Sequence, residues 1–289
     1  MAASAELVAL VDKVPPLDGK DYKPPLLRTK PSDGKFTGPT WEEAEKIIDP
    51  ILKGGRGSIA GVIDMLKDVD DGQDYKARYV LHAMAIYVCR ADKQEQQEMF
   101  VDAVASQVAG RSAGVRKFLI QQLQHAGSEK VAGALGRMLM DEKVCEEAAL
   151  ALLAIRKGAV EQFRSALPAA KGKCRLTVIQ DLGVLGDASS AADLRRAASD
   201  SDRAVRIAAR WALANIADAG SVDTLIKGSG SKDWERIQAA KACLVLAEKL
   251  AAAGKKDEAR RVYTHLRDTR TDESESYVRQ AAAKALAAI

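Results

Sequence analysis

The sequence predicts an all-α protein, an α-solenoid of stacked helical hairpins preceded by an extended N-terminal arm. Three observations predict it. One apolar stripe recurs along the chain at steps close to 30 residues, that stripe is mostly alanine, and six of the eight prolines lie within residues 1–40. The clearest copy is Val205, Ala208, Ala209, Ala212, Leu213 and Ile216, which fall on one face of an amphipathic helix. Small residues let helix backbones approach closely, so such a helix suits stacking against copies of itself better than nucleating one large core. A repeat of this length holding two helices cannot bury its own apolar face, and neighbouring units must stack.

Residues 1–40 read as a separate element. After a short helix over Ser4–Lys13, the prolines Pro15, Pro16, Pro24, Pro25, Pro31 and Pro39 force extended or irregular chain. Leu17, Tyr22, Leu26, Leu27 and Phe36 give it apolar anchors, which favours an arm packed along the repeats over a flexible linker. Thr40-Trp41-Glu42-Glu43 is a capping box, and the helix it opens is expected to run to about Ile48 and meet Pro50. The solenoid therefore spans 41–289. Gly54-Gly55-Arg56-Gly57 lacks both the ending and the preceding strand of a phosphate loop, and reads as a helix stop before a first repeat helix over Ser58–Lys67. The acids from Asp68 to Asp74 lack the final glutamate of a calcium loop and suit a helix N-terminus better.

Copies of the stripe begin at residues 77, 115, 144, 174, 205, 236 and 278, in steps of 38, 29, 30, 31, 31 and 42. Between them lie shorter amphipathic segments, Lys130–Met140, Val160–Leu167, Ala191–Ala198 and Val222–Lys227, so about seven hairpins are expected. The residues Asp200-Ser-Asp-Arg-Ala-Val-Arg-Ile-Ala-Ala-Arg-Trp-Ala-Leu and Val278-Arg-Gln-Ala-Ala-Ala-Lys-Ala-Leu resemble the HEAT repeat family, in the short form similar to the HEAT-like repeats of phycobilin lyases. The resemblance covers roughly 74–289 and implies a right-handed, armadillo-type superhelix. It is nearly silent on function, because the architecture serves unrelated partners. Residues 248–276 depart from it: Lys249-Leu-Ala-Ala-Ala-Gly-Lys-Lys-Asp-Glu-Ala-Arg-Arg-Val-Tyr resembles the joint of a tetratricopeptide repeat, and accounts for the last, longer step.

Arg78, Arg116, Arg175, Arg206 and Arg279 each follow the start of a stripe by one place. Read by charge alone they form a basic ladder for nucleic acid. The resemblance implies a structural ladder instead, in which the arginines bond acids and carbonyls in the turns. The partner-binding surface is expected on the exposed flank of the second helices, the concave wall in that family. Counting two, five, six and ten places from each stripe start gives Tyr79, His82, Lys117, Gln121, Gln180, Arg210, Trp211 and Lys241, with Tyr87, His125 and Asn215 beside them. Aromatic and arginine side chains of this kind are typical of recognition hot spots. The alternative is that Trp211 and Tyr87 pack on neighbouring repeats.

Catalytic residues, cofactors and metals are not expected. Cys89, Cys145, Cys174 and Cys243 make no C-x-x-C and read as thiols within the stripes. The three histidines precede Ala83, Ala126 and Leu266, which excludes the His-Glu pairs of HEAT-like di-iron hydroxylases. The HEAT-like DNA glycosylases need an acid among aromatics, and Asp181 is the one candidate on a repeat helix. The net charge is −5 over 41–109, +5 over 110–184 and +3 over 185–289, which steers an acidic partner, or nucleic acid, to the middle and C-terminal repeats. The expectation is a non-catalytic scaffold for a protein partner with an acidic surface, and the alternative is a nucleic-acid-binding solenoid of the base-repair glycosylase kind. No apolar run reaches the roughly 20 residues of a spanning helix, so membrane insertion is not expected. The start lacks a basic segment and a long apolar run, which favours a cytoplasmic monomer, or a periplasmic or secreted protein if a signal peptide has been removed.

Overall fold

The computed structural model describes residues 3–15, 39–68 and 73–289, and every regular element among them is helical. Most of the proline-rich arm, including Leu17, Tyr22, Leu26, Leu27 and Phe36, lies outside the described residues. None of the described helices is long and apolar enough to cross a membrane. The chain divides into two compact units, one of residues 1–138 and 150–158, the other of 139–149 and 159–289.

In the first unit, α1 (Ala5–Val11) is capped by the Ser4 hydroxyl and buries Leu7 and Val11. It packs on α3 (Gly55–Asp64), where the bare Gly61 makes room, since a Cβ there would stand 2.5 Å from Leu7 Cδ2. α2 (Trp41–Lys53) begins with the capping box: Glu43 N–H donates to Thr40 Oγ1 at 3.3 Å, and Thr40 N–H donates to Glu43 Oε2 at 2.8 Å. It does not stop before Pro50. Ile47, Ile48, Ile51 and Leu52 are all buried, so packing carries the helix through, and the carbonyl that Pro50 cannot serve belongs to the exposed Lys46. Gly55, at φ +71°, then turns the chain directly into α3, which starts and ends three residues earlier than the spacing suggests. α4 (Tyr75–Tyr87), α5 (Gln94–Val108) and α6 (Ala113–Ala126) complete two hairpins, α3 with α4 and α5 with α6. α3 packs on α5, and α4 on α6. α7 (Ala132–Met138) follows.

The boundary between the units falls within α8 (Cys145–Ile155). The second unit continues with hairpins of α9 (Ala159–Ala166) and α10 (Gly172–Leu185), α11 (Ala191–Ala197) and α12 (Arg203–Ile216), α13 (Val222–Ser229) and α14 (Asp233–Ala252), and α15 (Lys256–Thr269) and α16 (Ser276–Ala288). The longer helices stack in order, α10 on α12 and α12 on α14. Their contact is close because Gly183 has no side chain: a Cβ would lie 2.6 Å from Ala212 Cα. α14 runs for 20 residues and turns at Gly254, φ +80°, which lengthens the last step.

A turn that the stripe gave no hint of recurs before the shorter helices. Asp187 and Asp218 each accept a bond from the hydroxyl of a fully buried serine three residues on, Ser190 and Ser221. Each aspartate thereby satisfies a hydroxyl that would otherwise be buried without a partner.

Candidate functional site

The arginines at the stripe starts bond acids, turn carbonyls or both, and Arg206 is held at both ends. Arg206 donates from Nη1 to the carbonyls of Asp200 and Ser201, both at 2.8 Å, and from Nε and Nη2 to the two carboxylate oxygens of Glu235 at 2.8 and 2.6 Å. The carbonyls belong to the turn before its own helix, and Glu235 opens the next long helix. Arg236, one place past Glu235, grips Glu275 in the same bidentate way, at 2.8 and 2.6 Å. Arg175 pairs with Asp200 at 2.8 Å, Arg78 bonds Asp74 at 2.9 Å and the Lys67 carbonyl at 3.1 Å, and Arg279 bonds the Arg270 carbonyl at 2.9 Å. Arg116 occupies the same place on α6, half-buried.

Arg210 does not stand with the partner-facing residues. It is 6% exposed, its Nη1 lies 2.7 Å from Glu235 Oε1, and its Nη2 donates to the Ala198 carbonyl at 3.3 Å. The reason is its place in the repeat. Five positions past the stripe start, counting α14 from Glu235, the corresponding helices of other repeats carry Ile120, Ile179 and Ala240, all buried. Gly228 leaves the slot for so long a side chain, since a Cβ there would stand 2.4 Å from Arg210 Nε. Glu235 thus sits between Arg206 and Arg210, just as Glu275 sits between Arg236 and the buried Arg270. The Arg206 bond holds the Glu235 carboxyl far down, at about 2, against the opposing effect of burial.

What the second unit leaves open is a row on its long helices. Gln180 on α10, Trp211 on α12, Lys241 on α14 and Lys284 on α16 occupy matching places; all are exposed except Trp211, which is half-buried. Trp211 Nε1 donates to Gln238 Oε1 on α14 at 3.2 Å, so the indole is fixed across two repeats while part of its ring stays in solvent. Around the row, Val184 is 65% exposed, Trp234 56% and Tyr277 50%. Among the described residues no carboxylate pairs with Lys241 or Lys284. Asp181, next to Gln180, is half-buried, and burial lifts its carboxyl to about 6.

Residues 160–245 match the family model of HEAT repeats. These HEAT repeats include α10, α12, the Arg206–Glu235–Arg210 cluster and the centre of the exposed row. No curated relative matches the sequence. Among solved structures, the chain is similar to a designed armadillo repeat protein at 23% identity, with 71% of this chain and 99% of that one covered and a TM-score of 0.40. It is also similar to the complex of CpcE and CpcF of phycocyanin lyase from Nostoc, at 17% identity, 78% and 86% coverage and a TM-score of 0.35. Human deoxyhypusine hydroxylase is similar at 14% identity, with 98% and 96% covered and a TM-score of 0.35.

The remaining predicted residues lie in the first unit, outside the matched HEAT repeats. Tyr79 and His82 are on α4, Lys117 and Gln121 on α6, and those two helices pack together. His82 and Gln121 are exposed, Tyr79 and Lys117 half-buried. Burial raises the Tyr79 hydroxyl, with a smaller contribution from the charge of Glu43. Tyr87 is buried against Trp41, with ring centres 6.3 Å apart, and Arg90 and Lys93 lie over its ring. It therefore belongs to the interior. Among the described residues no three His, Cys, Asp or Glu side chains form a cluster able to hold a metal ion. Cys145, Cys174 and Cys243 are buried free thiols, while Cys89 is exposed.

Trp234, Tyr277, Gln238 and Lys284 were not singled out by the spacing. Trp234 and Tyr277 precede their stripes by one place, counting α14 from Glu235, so a count that begins at the stripe passes over them. Both are bulky aromatics in the first turn of a helix, and that was the available signal.

Proposed function

We propose that this chain is a non-catalytic scaffold that binds a protein partner along the exposed flank of α10, α12, α14 and α16. The observation that supports it most is the row Gln180, Trp211, Lys241 and Lys284, bordered by the exposed Val184, Trp234 and Tyr277. Indole and phenol rings offer large contact area at little entropic cost, and such residues dominate binding energy where they occur. The amides of Gln180 and Gln238 suit a backbone in extended form, and the lysines select carboxylates. The partner is a segment in which acidic and apolar side chains alternate. Lysines at the rim steer encounter and set partner choice more than they add affinity.

The second reading, a nucleic-acid-binding solenoid, draws on Asp181, whose desolvated carboxyl is suited to acid–base work. Salt separates the two. Tryptophan emission would be followed while acidic-apolar peptides, the same peptides with Lys in place of Glu, and single- and double-stranded oligonucleotides are added at low and high salt. The expected result is quenching by the acidic peptides alone, weakened at least tenfold by Lys241→Glu combined with Lys284→Glu. Oligonucleotide binding that falls steeply with salt, with no preference among peptides, would replace this reading with the second.

A further inference from the structure

We infer that the cleft between α11, α12 and α13 binds a small hydroxylated phosphate monoester, of the sugar phosphate class. The cleft has a volume of about 610 Å³, within the roughly 300–1,000 Å³ of small-ligand sites. Arg206 and Arg210 of α12 line it together with Asp223 and Lys227 of α13. It shares no residue with the row on the long helices, and the inference is independent of that row.

The charges around the cleft do not balance. Glu235 is the one carboxylate bonded to both Arg206 and Arg210, so the cluster keeps one positive charge in excess. The other acids near Arg206 are engaged elsewhere: Asp200 pairs with Arg175 at 2.8 Å, and Asp202 caps α12. The excess falls on Arg210. Its side chain is buried, Nη1 serves Glu235, Nη2 serves the Ala198 carbonyl at 3.3 Å, and Nε has no partner. A buried cation with incomplete compensation is costly, and an anion in the cleft relieves that cost. Lys227 is exposed and forms no ion pair among the described residues, whereas Asp223 is paired with Arg261. Two uncompensated positive charges therefore border the cleft. A phosphate monoester, at about −1.5 to −2 near neutral pH, matches them, and a single carboxylate does not.

The rest of the lining indicates what the phosphate is attached to. Ser199, Thr224 and Ser231 carry hydroxyls that make no hydrogen bond among the described residues. With the Asp223 carboxylate they suit the hydroxyls of a sugar or polyol. None of the lining residues is aromatic, so a nucleobase has no ring to stack on.

The test is calorimetric titration of the full chain with glucose 6-phosphate, ribose 5-phosphate and glycerol 3-phosphate, with inorganic phosphate, citrate and glucose as controls. At least one of the three esters is expected to bind once per chain, at least tenfold tighter than inorganic phosphate or citrate, with no binding of glucose. Lys227→Gln should weaken that binding at least tenfold with the unfolding curve unchanged, because the side chain is on the surface, and Lys227→Arg should restore most of it. Lys241→Gln, on the long helices, should bind as the parent does. No binding of any ester by the parent, binding that survives Lys227→Gln, or an equal loss in Lys241→Gln would each overturn the site. Affinity for inorganic phosphate or citrate equal to that for the esters would overturn the ligand class.

Discussion

At the scale of single residues, stability concentrates on a few buried charges. Glu235 accepts bonds from two arginines, and removing one member of such a buried cluster leaves the others uncompensated. Glu235→Ala is expected to cost about 3–5 kcal/mol in denaturant unfolding. The pH dependence has a defined sign. The folded carboxyl titrates at about 2 against an ordinary 4.5, so its contribution is complete above pH 4.5 and drains away as pH falls towards 2. Ala217 offers the opposite case. It ends α12 at φ +57°, where α10 ends on Gly186 at φ +69°, and a side chain is strained there. Ala217→Gly should therefore raise stability by about 0.5–1 kcal/mol, measured as a shift in the unfolding midpoint. Arg210 marks where residue-level reading of the sequence fell short. Its burial depends on Gly228, in another helix, and only the apolar residues at the same place in other repeats, Ile120, Ile179 and Ala240, could have signalled it.

At the scale of elements, the alanine stripe and its period made the hairpins of the second unit legible. Val205, Ala208, Ala209, Ala212 and Leu213 are all buried where the period puts them. The stripe did not show how closely the helices approach. Gly183 brings α10 against Ala212 of α12, and an added methyl has nowhere to go but into backbone. Gly183→Ala should cost about 1–3 kcal/mol by overpacking despite the better helix propensity of alanine, with the loss read by thermal or denaturant unfolding. Helix ends were less legible than helix centres. α2 passes through Pro50 because four buried aliphatic residues outweigh one missing hydrogen bond, and that balance is set by α3 and α4 rather than by the local sequence. The buried serine turns at Ser190 and Ser221 read as ordinary polar loops until their aspartate partners are seen.

At the scale of the whole molecule, the sequence and the fold agree on an all-helical stack, whereas the candidate surface was legible only in part. Gln180, Trp211 and Lys241 follow from counting along the repeats, but Trp234, Tyr277 and Lys284 need the stacked helices to bring them to the same flank. Exposure of a large side chain is a property of its neighbours, and here those neighbours lie about one repeat away along the chain, as Gln238 does from Trp211. The most direct measurement of the central claim is hydrogen–deuterium exchange of the chain with and without an acidic-apolar peptide selected for binding. Protection confined to α10, α12, α14 and α16 around Gln180, Trp211 and Lys241, and abolished by Trp211→Ala with Trp234→Ala, is the predicted result. Protection centred on the first unit, or unchanged by those substitutions, would contradict it.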